Sequence, residues 1–282
     1  MRKSLSFFTV AALLTAILGI SAQTVKAARG QTNPVGNDIS WPQCGKTLPT
    51  THAFGIAGVN GGTAAKTNPC LSEQLKWAYR AVGGTSQPLA QLYVNTANPG
   101  EIIGDITTWP TSNTDKTGFT TNNPYGTCRG DNDRACSWQY GWNRSVEAVI
   151  DRFEPAAIAA GVDSSASSYV WWLDVETMNT WQSGSTESLI RNKATLEGMT
   201  SYYQLKGVTV GLYSTGYQWN QIVGSTVSSS SNLNGLDSWL AGARSLKGAQ
   251  SNCKNPALTT SGKVTLTQYV SGSLDYDYSC PQ

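Results

Sequence analysis

The chain has 282 residues, a formal net charge of +2, six cysteines and a single histidine. Residues 1–27 contain three basic residues, Arg2, Lys3 and Lys26, and no acid, so the remainder has 17 of the 20 Lys+Arg against all 18 acids, a net charge of −1. A near-neutral surface gives nucleic acid or anionic lipid no electrostatic grip, and one histidine leaves little for a Ser-His-Asp or Cys-His hydrolase or a zinc site.

At the N-terminus, Arg2 and Lys3 precede an apolar run from Leu5 to Ile20, and Val25-Lys26-Ala27 follows. That is the layout of a secretory signal peptide cleaved near Ala27. It predicts an exported domain over 28–282, without a membrane span, since no later run approaches the ~20 apolar residues a span needs. Six cysteines in an exported chain read as disulfides. Fifteen pairings are possible, and nearest neighbours suggest Cys44–Cys70, Cys128–Cys136 and Cys253–Cys280. His52, in the turn-like "PTTHAF", reads as a loop residue without a chemical role.

Short apolar segments predict strands at 38–40, 54–59, 89–94, 169–175, 208–213, 238–241 and 264–269, covered on both faces by their near-continuous apolar character. Helical spacing links Val146, Val149, Ile150, Phe153 and Ala157, with Gly161 as a stop. A second helix carries Leu189, Leu196, Met199 and Tyr203, starts from Ser185 or Thr186, and closes at Gly207. Strands alternating with helices that thin out toward the C-terminus predict the α/β class, as a TIM-like (β/α) barrel of five β/α units followed by three strands with few helices. A doubly wound open sheet is the alternative, but "GVNGG", 58–62, lacks the spacing of a phosphate-binding loop. The insertion around 96–143 is rich in Asn, Thr, Gly and Pro, and is expected to form a cysteine-pinned cap over one barrel face.

The chemistry concentrates in "YVWWLDVET", 169–177, where an apolar strand ends in Asp174 and Glu176. Residues i and i+2 of a strand share a face, about 6.6 Å apart along the chain, and the C-terminal end of a barrel strand is its active-site end. Crowded carboxyls at a half-dry rim spread in pKa, and one protonated acid with one ionised partner is what glycosidic cleavage requires. Asp38 in "GNDIS" closes the first strand and Asp275 in "SGSLDYDYS" follows the last; adjacent barrel strands one and eight would bring both acids onto the same rim. Ten Trp and twelve Tyr against five Phe favour flat faces with a polar handle, a composition suited to sugar rings. Trp41, Asn95, Trp138, Tyr140, Tyr213, Trp219 and Gln268 are the candidate substrate contacts, with about half of the aromatic residues expected to serve packing instead.

"NDIS", "WWLDVE", "VGLYST…W", "WLAGA" and "LTQYVSG…LDYD" follow one another in an order that resembles glycoside hydrolase family 25, the Chalaropsis-type lysozymes, from about Gly36 to Asp277. The resemblance implies a flattened barrel and metal-free hydrolysis of the β-1,4 bond between N-acetylmuramic acid and N-acetylglucosamine. No cofactor is implied; the partner would be cell-wall polysaccharide and the enzyme a secreted monomer. It makes Glu176 the general acid, gives Asp174 the substrate's acetamido group or the charged intermediate, and matches Asp38 and Asp275 to the family's remaining acids. Two places depart from the family pattern: "GVNGG" after the second strand lacks an acid, and "LYVNTAN" replaces a Tyr-His-Phe-like end to the third. Two other readings remain open: a non-catalytic glycan-binding surface protein on the same barrel, and a chitinase-like glycosidase.

Overall fold

The computed structural model describes residues 35–282; the expected leader lies outside the described residues. Eight strands close into a barrel. In chain order they are β1 (Val35–Ile39), β2 (Gly55–Gly58), β3 (Ala90–Asn95), β4 (Val170–Asp174), β5 (Thr209–Ser214), β6 (Asp237–Ala243), β7 (Val264–Ser271) and β8 (Leu274–Ser279). Neighbours from β1 through β7 are parallel, whereas β8 runs antiparallel to both β7 and β1. The helices are α1 (Leu71–Ala78), α2 (Arg134–Glu147), α3 (Glu154–Ala160), α4 (Thr186–Leu205), α5 (Gly216–Ile222) and α6 (Leu246–Asn252). The α/β barrel is therefore present, with its helix-bearing units at β2 to β6. The strands without a helix are divided, β1 at the start and β7–β8 at the end. None of these helices is long and apolar enough to cross a membrane.

Alternation along the strands separates two cores. Outward residues such as Leu92, Trp171, Leu173, Val210 and Leu212 pack under the helices with Phe153, Met199 and Tyr203. Inward residues Phe54, Ile56, Trp172, Tyr213, Trp239 and Leu266 fill the barrel. Large rings fit there because glycines face them. A Cβ on Gly211, the register partner of Trp172, would lie 2.2 Å from its ring, and one on Gly36 would lie 2.3 Å from the Phe54 ring. Filling the interior with rings makes it a packed core rather than a pore.

The insertion differs from the expected cap. Asp133 caps the helix N-terminus by accepting from Cys136 N, so α2 begins well before the apolar periodicity does. The rings of Trp109 and Tyr140 stack with centroids 5.4 Å apart, as do those of Trp138 and Trp142, and Phe119 stacks on Trp142 at 5.8 Å. The insertion is thus a wall built around α2. A π-helical segment, Ala148–Phe153, joins α2 to α3; Pro155 near the start of α3 lacks the N–H that a regular helix would use there.

Helices α2 and α4 approach unusually closely. A Cβ on Gly198 would lie 1.9 Å from Trp138 O, and one on Gly141 would lie 1.9 Å from Thr195 O. Thr195 Oγ1 donates across the same crossing to Ser137 O at 3.0 Å. Gly198→Ala gains ~1 kcal/mol of helix propensity but must force the paired backbones away from each other, so a net loss of about 1–3 kcal/mol is predicted. At ~2–4 °C per kcal/mol for a domain of this size, thermal melts should drop by several degrees; an unchanged midpoint would refute the close crossing.

The disulfides are Cys44–Cys70, Cys128–Cys136 and Cys253–Cys280, the nearest-neighbour set, and they fit an oxidising compartment. His52 lies in a loop, as expected, and is buried there. Its ring stacks on Trp77 with centroids 4.2 Å apart, and Nε2 lies 3.2 Å from Trp77 O.

Candidate functional site

At the C-terminal ends of the parallel strands lies an open groove of about 360 Å³, walled by Asp38, Asp174, Glu176 and Asp275 with Tyr93, Tyr213, Trp239 and Gln268. Among the described residues, no Lys, Arg or His lines it. Topology explains the convergence. Asp174 is the last residue of β4, and Glu176, two residues on, keeps the inward parity of Trp172 and Asp174. Asp38 precedes the end of β1, and its register partner on β8 is Asp275. Because β8 is reversed, its first residues stand at the rim where the other strands finish.

Hydrogen bonds hold these acids in place. Tyr213 OH donates to Gln268 Oε1 at 2.8 Å, and Gln268 Nε2 donates to Asp38 Oδ2 at 2.9 Å. Asn37 Nδ2 donates to Asp275 O at 2.7 Å. The backbone at Glu176 is fixed from both sides. Trp181 Nε1 donates to Glu176 O at 2.9 Å, and Thr177 N donates to Gln218 Oε1 at 2.7 Å. By contrast Asp174 Oδ1, in a residue only 5 % exposed, accepts no hydrogen bond from the described residues.

Burial dominates the electrostatics. It pushes the Asp38 carboxyl up to about 7, with the charge of Asp275 adding and the Gln268 hydrogen bond opposing. Burial, then Glu176 and Asp38, drives Asp174 well above the usual carboxylate range. Glu176 is raised by burial and by Asp275, against a hydrogen bond with Gln218. Asp275 is raised by burial. All four carboxyls are thus pushed toward their neutral forms. Asp174, expected from sequence to be the ionised helper, is among the acids that burial, then Glu176 and Asp38, push toward the neutral form.

Of the candidate substrate contacts, Tyr213 and Gln268 line the groove, and Trp41 stands half exposed beside it, between the lining residues Ser40 and Pro42. The other four do not line it. Asn95 turns sideways, its Nδ2 donating to Asn60 O at 2.8 Å and its N–H to Asn60 Oδ1 at 2.7 Å. Trp138 is buried on α2 against α4 and Tyr140 is buried under Trp109, its hydroxyl donating to Thr63 O. Trp219 is buried where α5 turns it onto the outer core. Tyr93 and Trp239 are groove residues that sequence reasoning passed over. Their signal was parity: Gln91 and Tyr93 share a face of β3, and Trp239 pairs in register with Tyr213. Gly58, opposite Tyr93, has no room for a side chain, since its Cβ would lie 2.6 Å from that ring.

Fold and groove together define an α/β barrel with an acidic cleft at the C-terminal ends of its parallel strands. Residues 158–241 match the family model described as lysozyme-like protein 1. The matched segment, under a third of the chain, runs from α3 into β6 and includes Asp174, Glu176, Tyr213 and Trp239. No curated protein and no solved structure matches the chain.

Proposed function

We propose that the protein is a secreted glycosidase of lysozyme type that hydrolyses β-1,4 bonds of peptidoglycan or a closely related N-acetylated glycan. The observation that carries this reading is the meeting of Asp38, Asp174, Glu176 and Asp275 in one open groove, with the lysozyme-like match across two of them. Glu176 is the general acid. Its carboxyl proton passes to the glycosidic oxygen, the C1–O bond breaks with its electron pair leaving on that oxygen, and the sugar becomes oxocarbenium-like. The surrounding carboxylates stabilise that positive charge. Water then adds to C1 and its proton returns to Glu176.

The free Oδ1 of Asp174 suits the N–H of an acetamido group. Once that donor arrives, the ionised form of Asp174 is favoured, so the substrate itself brings about the charge the reaction needs. Three disulfides agree with action outside the cell. Incubation with purified, insoluble cell wall tests the proposal: new reducing ends and soluble muropeptides are expected. Binding to the wall without new reducing ends would replace it with a non-catalytic glycan-binding role, and release from chitin alone with a chitinase-like one.

A further inference from the structure

Directly beneath the groove lies a fifth acid that the proposed reaction does not use. Asp277 follows Asp275 by two residues on β8, so it faces the same way but deeper, and it is fully buried. Its register partners are Gly36 on β1 and Gln268 on β7. Among the described residues, neither carboxyl oxygen makes a well-formed hydrogen bond, and nor does the buried indole Nε1 of Trp239. Trp239 and Asp38 nevertheless act on the Asp277 carboxyl as hydrogen-bond partners, and Asp38 and Asp275 act on it as charges. An indole donor and two carboxyls thus share one buried compartment.

An ionised carboxylate is strongly disfavoured there: it is shut off from solvent, has one indole N–H to offset its charge, and stands beside two other acids. A neutral carboxyl has both an O–H to give and a carbonyl oxygen to offer. We infer that Asp277 is a positioning residue, a permanently protonated carboxyl that accepts the Trp239 indole N–H on one oxygen and donates its O–H upward to Asp38. Asp38 then receives two donors, Gln268 Nε2 at 2.9 Å and the Asp277 O–H, both of which favour its ionised form. They oppose its burial and its neighbour Asp275. Burial also drives the Asp277 proton affinity well above the carboxylate range, with Asp38 and Asp275 adding to it. The catalytic consequence rests on the proposed glycosidase reading; the charge-holding role does not.

The test follows Asp38 itself. Its titration is read from the side-chain carboxyl carbon by NMR in the full exported chain, alongside that of Asp277. Asp174, Glu176, Asp275, Tyr93 and Tyr213 also face this compartment, so each carboxyl must be assigned separately. Asp277→Asn keeps an N–H donor and a carbonyl acceptor, and should leave the Asp38 midpoint in place. Asp277→Val removes the donor, and should raise that midpoint by about one pH unit, moving the acidic limb of kcat upward with KM little changed. If Asp277 in the unmodified protein titrates below Asp38, or if the Asn variant shifts Asp38 as far as Val does, the inference is overturned. Should the protein cut no glycan while these midpoints behave as stated, the glycosidase reading falls and this one stands.

Discussion

Replacing Glu176 by Gln should reduce glycan cleavage by about 10³-fold or more while leaving the fold intact. Gln preserves the shape and the polar contact toward Gln218 but has no proton to give, and general-acid catalysis accounts for ~10²–10⁴ of rate in comparable reactions. Bond breaking to an unactivated sugar oxygen depends heavily on that proton, so the upper half of the range applies. Wall binding should persist, since Tyr93, Tyr213, Trp239 and Trp41 remain in place. Reducing-end release and sedimentation with insoluble wall separate the two effects. Wild-type turnover in this variant would remove Glu176 from the acid role.

The second large effect is on stability. Each carboxyl of the cluster has a folded-state pKa above its ordinary value; for Asp38 that is about 7 against 3.8. Between those two pH values the folded protein binds more protons than the unfolded chain, so unfolding free energy must fall as pH rises. The contribution of the cluster is whole below about pH 4 and is lost as pH climbs through 7. At ~1.4 kcal/mol per pKa unit, Asp38 alone accounts for a swing on the order of 4 kcal/mol. Acids with lowered pKa pull the other way in a different window. Burial alone would raise Asp115, but hydrogen bonds from Thr117, Trp142 and Phe119 hold it down, so its contribution changes only below about pH 4. Urea midpoints should therefore decline from pH 4.5 to 7.5. Asp174→Asn, which removes one buried carboxyl that cannot find a donor, should stabilise the protein by about 1–3 kcal/mol at pH 7.5 and hardly at all at pH 4.5. A midpoint that rises with pH over this interval would contradict the burial of the cluster.

The same groove that weakens the fold is what the sequence announced most clearly. Asp174 and Glu176 stand out because an apolar strand rarely ends in two acids, and parity alone assigns them one face. The strands β2 to β7 were legible from apolar runs, and the disulfides from neighbouring cysteines. β8 was not: "LDYDYS" alternates, but its inward residues are Asp275 and Asp277, so the pattern reads as a polar loop. Only the closing of the barrel gives those acids an interior. α2 was hidden for a related reason. Its buried surface includes Ser137, Gln139, Arg144 and Ser145 beside the aromatics, and Arg144 Nη2 pairs with Glu147 Oε1 at 2.6 Å. A helix buried nearly all round, with polar groups among the rings, carries no apolar stripe. Trp138, Tyr140 and Trp219 look like sugar platforms in sequence because a ring is equally useful for packing and for stacking; only the surrounding elements decide.

The reversed last strand has a bearing on when the molecule becomes active. Asp275 stands near the start of β8, and its register partner Asp38 lies on β1, so the groove exists only after both extremities of the barrel have been made and have met. Strands β2 to β6 by themselves carry only Asp174 and Glu176, half of the cleft's acids. The Cys253–Cys280 bridge then fastens the closing strand where thiols are oxidised. Under the proposed reading of an exported glycosidase, completion of the cleft and oxidation of this bridge would coincide, so that activity would first appear outside the cell that made it.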